Sequence, residues 1–210
     1  VTSPSAIVFD FNGTLSRDEP VLCEIYCDLF AEHGRPLSAQ EYYDELAGHS
    51  EEEIVGRWLG FDYPRAEEAI ADRIARYIAR ADGSTIAEEA RAAVRYAAER
   101  VPVAVVSGAT RAEIEPVLAA AGVAGAITAI VPADDVAHGK PHPEGYLRAL
   151  ELLGVGDALV FEDTEAGVAS AAAAGLRVIG VLGTVAPERL AAAEELVEAI
   201  DVELLQRLLG

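Results

Sequence analysis

Uninterrupted apolar runs alternate along this chain with stretches of helical periodicity. Ala6-Ile7-Val8-Phe9, Val103-Ala104-Val105-Val106 and Ala158-Leu159-Val160-Phe161 show no polar–apolar alternation, the signature of strands covered on both faces. The runs predict strands near 5–10, 101–107, 126–131, 157–162 and 177–182, with a sixth near 196–200. Between them, apolar residues recur at helical spacing near 86–99, 110–121, 143–153, 165–174, 187–195 and 202–209. Strands alternating with helices predict an α/β fold, a doubly wound parallel sheet with helices on both faces.

The alternation is interrupted once. After the first strand, residues 20–80 carry helical patterns over 21–33, 38–47, 50–59 and 65–80, punctuated by Gly34, Gly48, Gly60 and Gly83. The expected organisation is therefore a core of 1–16 and 84–210 with a small all-helical cap over 17–83. An insert at the carboxyl end of strand one would cover any site there, and Trp58, Phe61 and Tyr63 are expected to help build its core.

Composition narrows the partners. With 210 residues, half of them hydrophobic, the chain can bury a good-sized core. A net charge of −20 argues against nucleic acid and anionic membranes, both of which reward basic patches. No apolar stretch reaches a membrane span, and Val1-Thr2-Ser3-Pro4-Ser5 lacks the basic start of a signal peptide, so a cytoplasmic protein is expected. Cys23 and Cys27 have no nearby His or Cys to complete a metal site and are expected as free thiols. Of 16 basic residues one is a lysine, Lys140, which points to a role for a compact amine that arginine does not fill.

The candidate chemistry lies where apolar runs end. Asp10 closes the first strand and precedes a polar, glycine-containing turn. Ser107, Lys140 and the pair Glu162-Asp163 follow the same rule later in the chain. Open α/β sheets place their ligands at such strand ends.

Together these segments resemble the haloacid dehalogenase (HAD) superfamily of phosphotransferases over nearly the whole chain. Asp10-Phe11-Asn12-Gly13-Thr14-Leu15 resembles motif one, Ser107-Gly108 motif two, Lys140-Pro141 motif three and Glu162-Asp163 motif four. The insert resembles the small cap of the branch containing phosphoglycolate phosphatases and β-phosphoglucomutases, and Gly48-His49-Ser50 its substrate-facing turn. The resemblance implies a Rossmann-like core and a Mg²⁺-dependent phosphatase or phosphotransferase acting on a small phosphorylated metabolite, as a monomer or homodimer. Asp10 would become an aspartyl-phosphate. Asp10, the backbone carbonyl of Asn12, and Asp163 would hold Mg²⁺, with Glu162 close by. Ser107, Gly108 and Lys140 would bind the phosphate, and Lys140 would also stabilise the transferring group.

One position departs from the family. Its usual motif carries a second aspartate two residues after the nucleophile, which protonates the leaving group and then activates water. Here that position is Asn12, and an amide cannot exchange that proton near neutrality. Slow turnover is expected. Four explanations stand open: a surrogate acid among His49, Asp18 and Glu19; a substrate whose leaving group needs no acid; a phosphometabolite-binding protein without turnover; or an engineered substitution. Two relatives fit less well: the phosphonatase-like branch needs a cap lysine, which is absent, and the dehalogenases carry tyrosine at the Asn12 position and do not need the acidic pair. A mutase stays open, although sugar-phosphate mutases carry arginine where this chain has Glu51.

Overall fold

The computed structural model describes residues 3–80 and 82–210. Six strands, β1 (Ile7–Phe9), β2 (Val103–Val106), β3 (Ala129–Val131), β4 (Leu159–Glu162), β5 (Arg177–Val181) and β6 (Glu195–Val197), form one parallel sheet in the order β3-β2-β1-β4-β5-β6. The chain runs outward from β1 to one edge, returns, and continues from β4 to the other. The order therefore reverses between β1 and β4, where the loops leaving neighbouring strands part and open a crevice.

Burial on both faces explains the unbroken apolar runs. Every residue of β1, β2 and β4 is buried. Ile7 and Phe9 join a cluster with Ala93, Val94, Leu205 and Leu209, while Val8 joins one with Val106, Tyr146 and Val168. The first cluster is covered by α5 (Glu88–Ala98), α6 (Arg111–Ala120) and α9 (Val202–Leu209), the second by α7 (Glu144–Leu153) and α8 (Glu165–Ala173). Register is set at the centre, where Phe9 lies opposite Val105 on one side and Phe161 on the other. The rings of Phe9 and Phe161 stack with centroids 5.1 Å apart.

Between β1 and β2 the chain is helical: α1 (Glu19–Glu32), α2 (Ala39–Glu41), a π-helical turn at Tyr42–Leu46, α3 (Glu51–Leu59) and α4 (Ala66–Arg80). Ser38 and Ser50 start α2 and α3, each accepting from the backbone of a glutamate three residues on whose carboxylate answers the serine N–H. Tyr26 stacks on Tyr42, with a centroid distance of 5.8 Å, and Phe30 on Trp58.

Three expectations need correction. The expected helix over 187–195 is a 3₁₀ turn at Pro187–Leu190, and the chain then enters β6 beside β5. Ala191-Ala192-Ala193 favours a helix locally, but docking of Leu196 over Gly180 wins. A Cβ on Gly180 would lie 2.5 Å from Leu196 Cδ2. The helix over 38–47 divides into α2 and the π-helical turn. Phe61 is not core: it is 78% exposed, unlike Trp58 and Tyr63. Cys23 and Cys27 are free thiols, and no helix among the described residues is long and apolar enough to cross a membrane.

Phe161→Ala removes a fully buried ring at the sheet centre and is expected to cost about 3–5 kcal/mol. Urea unfolding of the two proteins measures it; a loss near zero would contradict this packing.

Candidate active site

β1, β2 and β4 deliver their following residues to one place. Asp10 follows β1, and its N–H donates to the Phe161 carbonyl at 2.9 Å, which keeps it level with the end of β4. Glu162 ends β4, and Asp163 follows it. Carboxylate oxygens of Asp10, Glu162 and Asp163 lie within 4.8 Å of one another, and all three residues are buried. Lys140 reaches this cluster from the loop before α7. Its Nζ donates to Asp10 Oδ1 and Glu162 Oε1, each at 2.5 Å, and to the Val106 carbonyl at 3.2 Å. Motifs one, three and four thus meet at a single ammonium.

The surroundings leave little freedom. Tyr146 O–H donates to Glu162 Oε1 at 2.6 Å, and the N–H of Asp163 donates to Glu162 Oε2 at 3.1 Å. A Cβ on Gly167 would overlap the Glu162 carboxylate, and one on Gly13 would overlap Asp163 Oδ2. Gly13 also has φ +75°, a conformation that side chains resist. Both glycines are required by the carboxylates beside them.

Three buried carboxylates against one ammonium would leave an excess of two negative charges if all were ionised, and the titrations are raised against that. Burial, reinforced by Glu162 and opposed by Lys140, pushes Asp10 up to about 7. Burial, then the charges of Asp10 and Glu162, hold Asp163 well above the usual carboxylate range. For Lys140 burial favours the neutral amine, but Asp10 and Glu162 outweigh it and raise its pKa. Asp163 Oδ1 accepts from Thr14 Oγ1 at 2.9 Å, while Oδ2 is buried with no hydrogen-bond partner among the described residues. An all-oxygen donor set, an unpartnered carboxylate oxygen and two uncompensated charges fit one hard divalent cation.

Asn12 lines the cavity and is held by Asp18 and Ser107. Its Nδ2 donates to Asp18 Oδ2 at 2.8 Å, and its Oδ1 lies 3.5 Å from Ser107 Oγ. Asp18 is fully buried and also accepts from Gly13 N–H and Tyr77 O–H. Burial raises its pKa, opposed by bonds from Tyr77 and Asn12.

Ser107 is buried and accepts from Ala109 N–H at 3.0 Å. It does not cap α6, a role taken by Thr110 in a reciprocal pair with Glu113. Nothing lies within 4 Å of where a Cβ on Gly108 would sit, so its backbone is open to a ligand.

A cavity of about 570 Å³ rises from this floor, lined by Asp10, Asn12, Ser107, Gly108, Lys140 and Asp163 below and by the helical insert above. Gly48, His49 and Ser50 line it. Ser50 is also the cap of α3, and His49 Nδ1 lies 3.3 Å from Glu53 Oε2. Of the surrogate acids, His49 and Glu19 line the cavity and Asp18 lies behind Asn12. Glu19 accepts from Tyr42 O–H at 2.8 Å, and burial pushes it up to about 7.

Two contributors escaped sequence reasoning. Tyr146 orients Glu162. Arg73, on α4, lines the cavity and pairs with Glu51 within the insert and with Glu113 of α6 across its boundary with the core. A signal existed, since Ala69, Arg73 and Tyr77 are buried at four-residue spacing on α4. An arginine on that inward stripe needs acidic partners.

Residues 4–175 match the haloacid dehalogenase-like hydrolases. The chain is 33% identical to validoxylamine A 7'-phosphate phosphatase of Streptomyces hygroscopicus subsp. limoneus, over 91% of this chain and 92% of that one. It is 34% identical to protein CbbY of Rhodobacter capsulatus, over 83% of each. Among solved structures, a mutant CbbY from Rhodobacter sphaeroides in complex with xylulose-(1,5)bisphosphate superposes with a TM-score of 0.81 and 25% identity, covering 96% of each chain.

Neutral Asp163 is favoured in the fold, whereas the unfolded chain ionises it near pH ~4. Its contribution to stability is present below that pH and is lost as pH rises through the higher folded value. Without divalent cation, thermal stability is expected to fall between pH ~4 and neutrality, and Asp163→Asn should flatten the fall. Cation should restore the parent and not the variant. Thermal unfolding across pH, with and without cation, checks this; a variant with the parent's slope would contradict it.

Proposed function

The chain belongs to the haloacid dehalogenase-like hydrolases, in their phosphatase branch, and we propose that it is a Mg²⁺-dependent phosphatase of a small phosphorylated metabolite, working through an aspartyl-phosphate on Asp10. The observation that carries this reading is the meeting of Asp10 and Glu162 at Lys140 Nζ, on the floor of a cavity roofed by the helical insert. Residues 17–83 are read as the cap that closes over it.

Asp10, Asp163 and the Asn12 backbone carbonyl would hold Mg²⁺, with Glu162 beside them, and the ion would supply Lewis-acid neutralisation of the phosphate. The chain's own groups do the rest. Lys140 fixes the Asp10 carboxylate through Oδ1 and carries positive charge to the transferring phosphoryl group. Ser107 Oγ and the Gly108 N–H are placed to hold its oxygens. An Asp10 oxygen forms the new bond to phosphorus as the bond to the leaving oxygen breaks. That oxygen must then gain a proton, and the water that later cleaves the aspartyl-phosphate must lose one. Asn12, an amide with no proton to exchange near neutrality and its Nδ2 bonded to Asp18, does neither.

Charge in the upper cavity narrows the substrate. Glu19, Glu51 and Glu52 line it, and its one arginine, Arg73, is already paired with Glu51 and Glu113. A second phosphate would meet carboxylates in a low-dielectric space. The favoured substrate has a single phosphate and a neutral, hydroxyl-rich or cationic remainder.

Asn12→Asp would place two carboxylates at the present 2.8 Å contact with Asp18. One of the pair would then keep a proton near neutrality, as an acid–base catalyst requires. Phosphate release from a panel of small esters should rise by roughly 10²–10⁴-fold in Asn12→Asp over fresh parent protein. A parent as fast as the variant would show that a surrogate acid operates, with His49 and Glu19 the next residues to replace. Release by neither, with saturable phosphate binding by both, would favour a binding protein. In the same panel monophosphates should turn over in preference to matching bisphosphates; a bisphosphate preference would overturn the charge argument.

A further inference from the structure

Among the described residues, one other group of side chains outside the acidic cluster brings metal-ligating atoms together. His138, His142 and Glu144 lie on the loop that carries Lys140 and on the first turn of α7. One ligand atom from each lies within 4.8 Å of the others. His138 Nδ1 is 2.8 Å and His142 Nδ1 3.8 Å from the same oxygen, Glu144 Oε2. The two imidazole rings face each other with centroids 4.6 Å apart. A tetrahedral centre with bonds of ~2.0–2.1 Å spaces its donor atoms by about 3.4 Å, so small side-chain rotations would bring all three onto one ion.

Both histidines line the rim of the cavity and have no part in the chemistry above. The loop is already drawn closed: Glu144 accepts from the N–H groups of Ala137 and His138, at 2.7 and 3.1 Å. Lys140 sits midway between the two histidines in sequence.

We propose that His138, His142 and Glu144 form a second metal site, for zinc or a similar borderline divalent ion. The donor chemistry separates it from the catalytic cluster. Two imidazole nitrogens and one carboxylate select zinc, copper or nickel, whereas the all-oxygen set of Asp10, Glu162 and Asp163 suits magnesium. Three protein ligands leave a fourth position open, at the mouth of the cavity. A bound ion would join the two sides of the loop from which Lys140 reaches Asp10.

The test is zinc binding by the full chain in a large excess of Mg²⁺, which occupies the acidic cluster, read by competition with a chromogenic zinc chelator. One zinc per chain is expected. His138→Ala and His142→Ala should each weaken it roughly tenfold or more, while Asp163→Asn should leave it in place. Both histidines are exposed (66% and 52% for their side chains), so their removal spares the core. A second reading on the unaltered chain is chemical modification of imidazoles: zinc should protect His138 and His142 and leave His49 as reactive as before. The proposal is overturned if no zinc binds in excess Mg²⁺, if binding survives both histidine substitutions, or if Asp163→Asn abolishes it.

Discussion

The structure around the site depends on one buried electrostatic imbalance. Asp10, Glu162 and Asp163 are brought together by strand register, and one ammonium, Lys140, stands against them. A cluster with that excess of charge is costly unless something cationic completes it. The cost is visible in the raised titrations of Asp10 and Asp163, both of which begin with burial. A fold optimised for stability alone would replace one of these carboxylates. Holding them together makes sense for a site that takes a divalent cation, whose charge would offset the cluster's excess.

The sheet makes this arrangement without long-range adjustment. Parallel neighbours in register end at the same level, so β1 and β4 present Asp10 and Glu162 side by side, while β2 brings Ser107 to the same edge. Phe9 and Phe161, stacked one residue below, hold that register from the hydrophobic side. Glycine then removes what would collide: Gly13 beside Asp163, Gly167 beside Glu162. Packing, register and electrostatics are therefore one design, and the helical insert adds an acidic upper wall whose one arginine, Arg73, is held by Glu51 and by Glu113 of α6.

Much of this was legible in the sequence because the relevant signals are local. A strand buried on both faces reads as an apolar run, and a residue that ends such a run lies at the ligand edge of the sheet; Asp10, Ser107 and Glu162 followed from that alone. What escaped depends on contacts distant in sequence. Arg73 matters through Glu51 and Glu113, and Tyr146 through Glu162. The misread segment, 187–195, is alanine-rich and helical by propensity, yet only Pro187–Leu190 winds, as a 3₁₀ turn, and the chain is then drawn to the sheet edge, where Gly180 leaves room for Leu196 of β6. Phe61 was placed in the insert's core on its size, but the aromatic layer of Tyr26, Phe30, Tyr42 and Trp58 fills that space without it.

Asn12 gives the proposed mechanism its sharpest consequence, because a site that accepted a phosphoryl group on Asp10 but lacked the proton carrier for the second step would hold the intermediate. The most direct test is intact-mass spectrometry of acid-quenched protein after mixing with Mg²⁺ and an activated phosphate ester that needs no leaving-group acid. The chain as it stands should gain the mass of one phosphoryl group, mapped to Asp10 by peptide analysis and absent from Asp10→Asn. Phosphorylation at another residue, or an adduct that persists in Asp10→Asn, would contradict the assignment of Asp10 as the nucleophile.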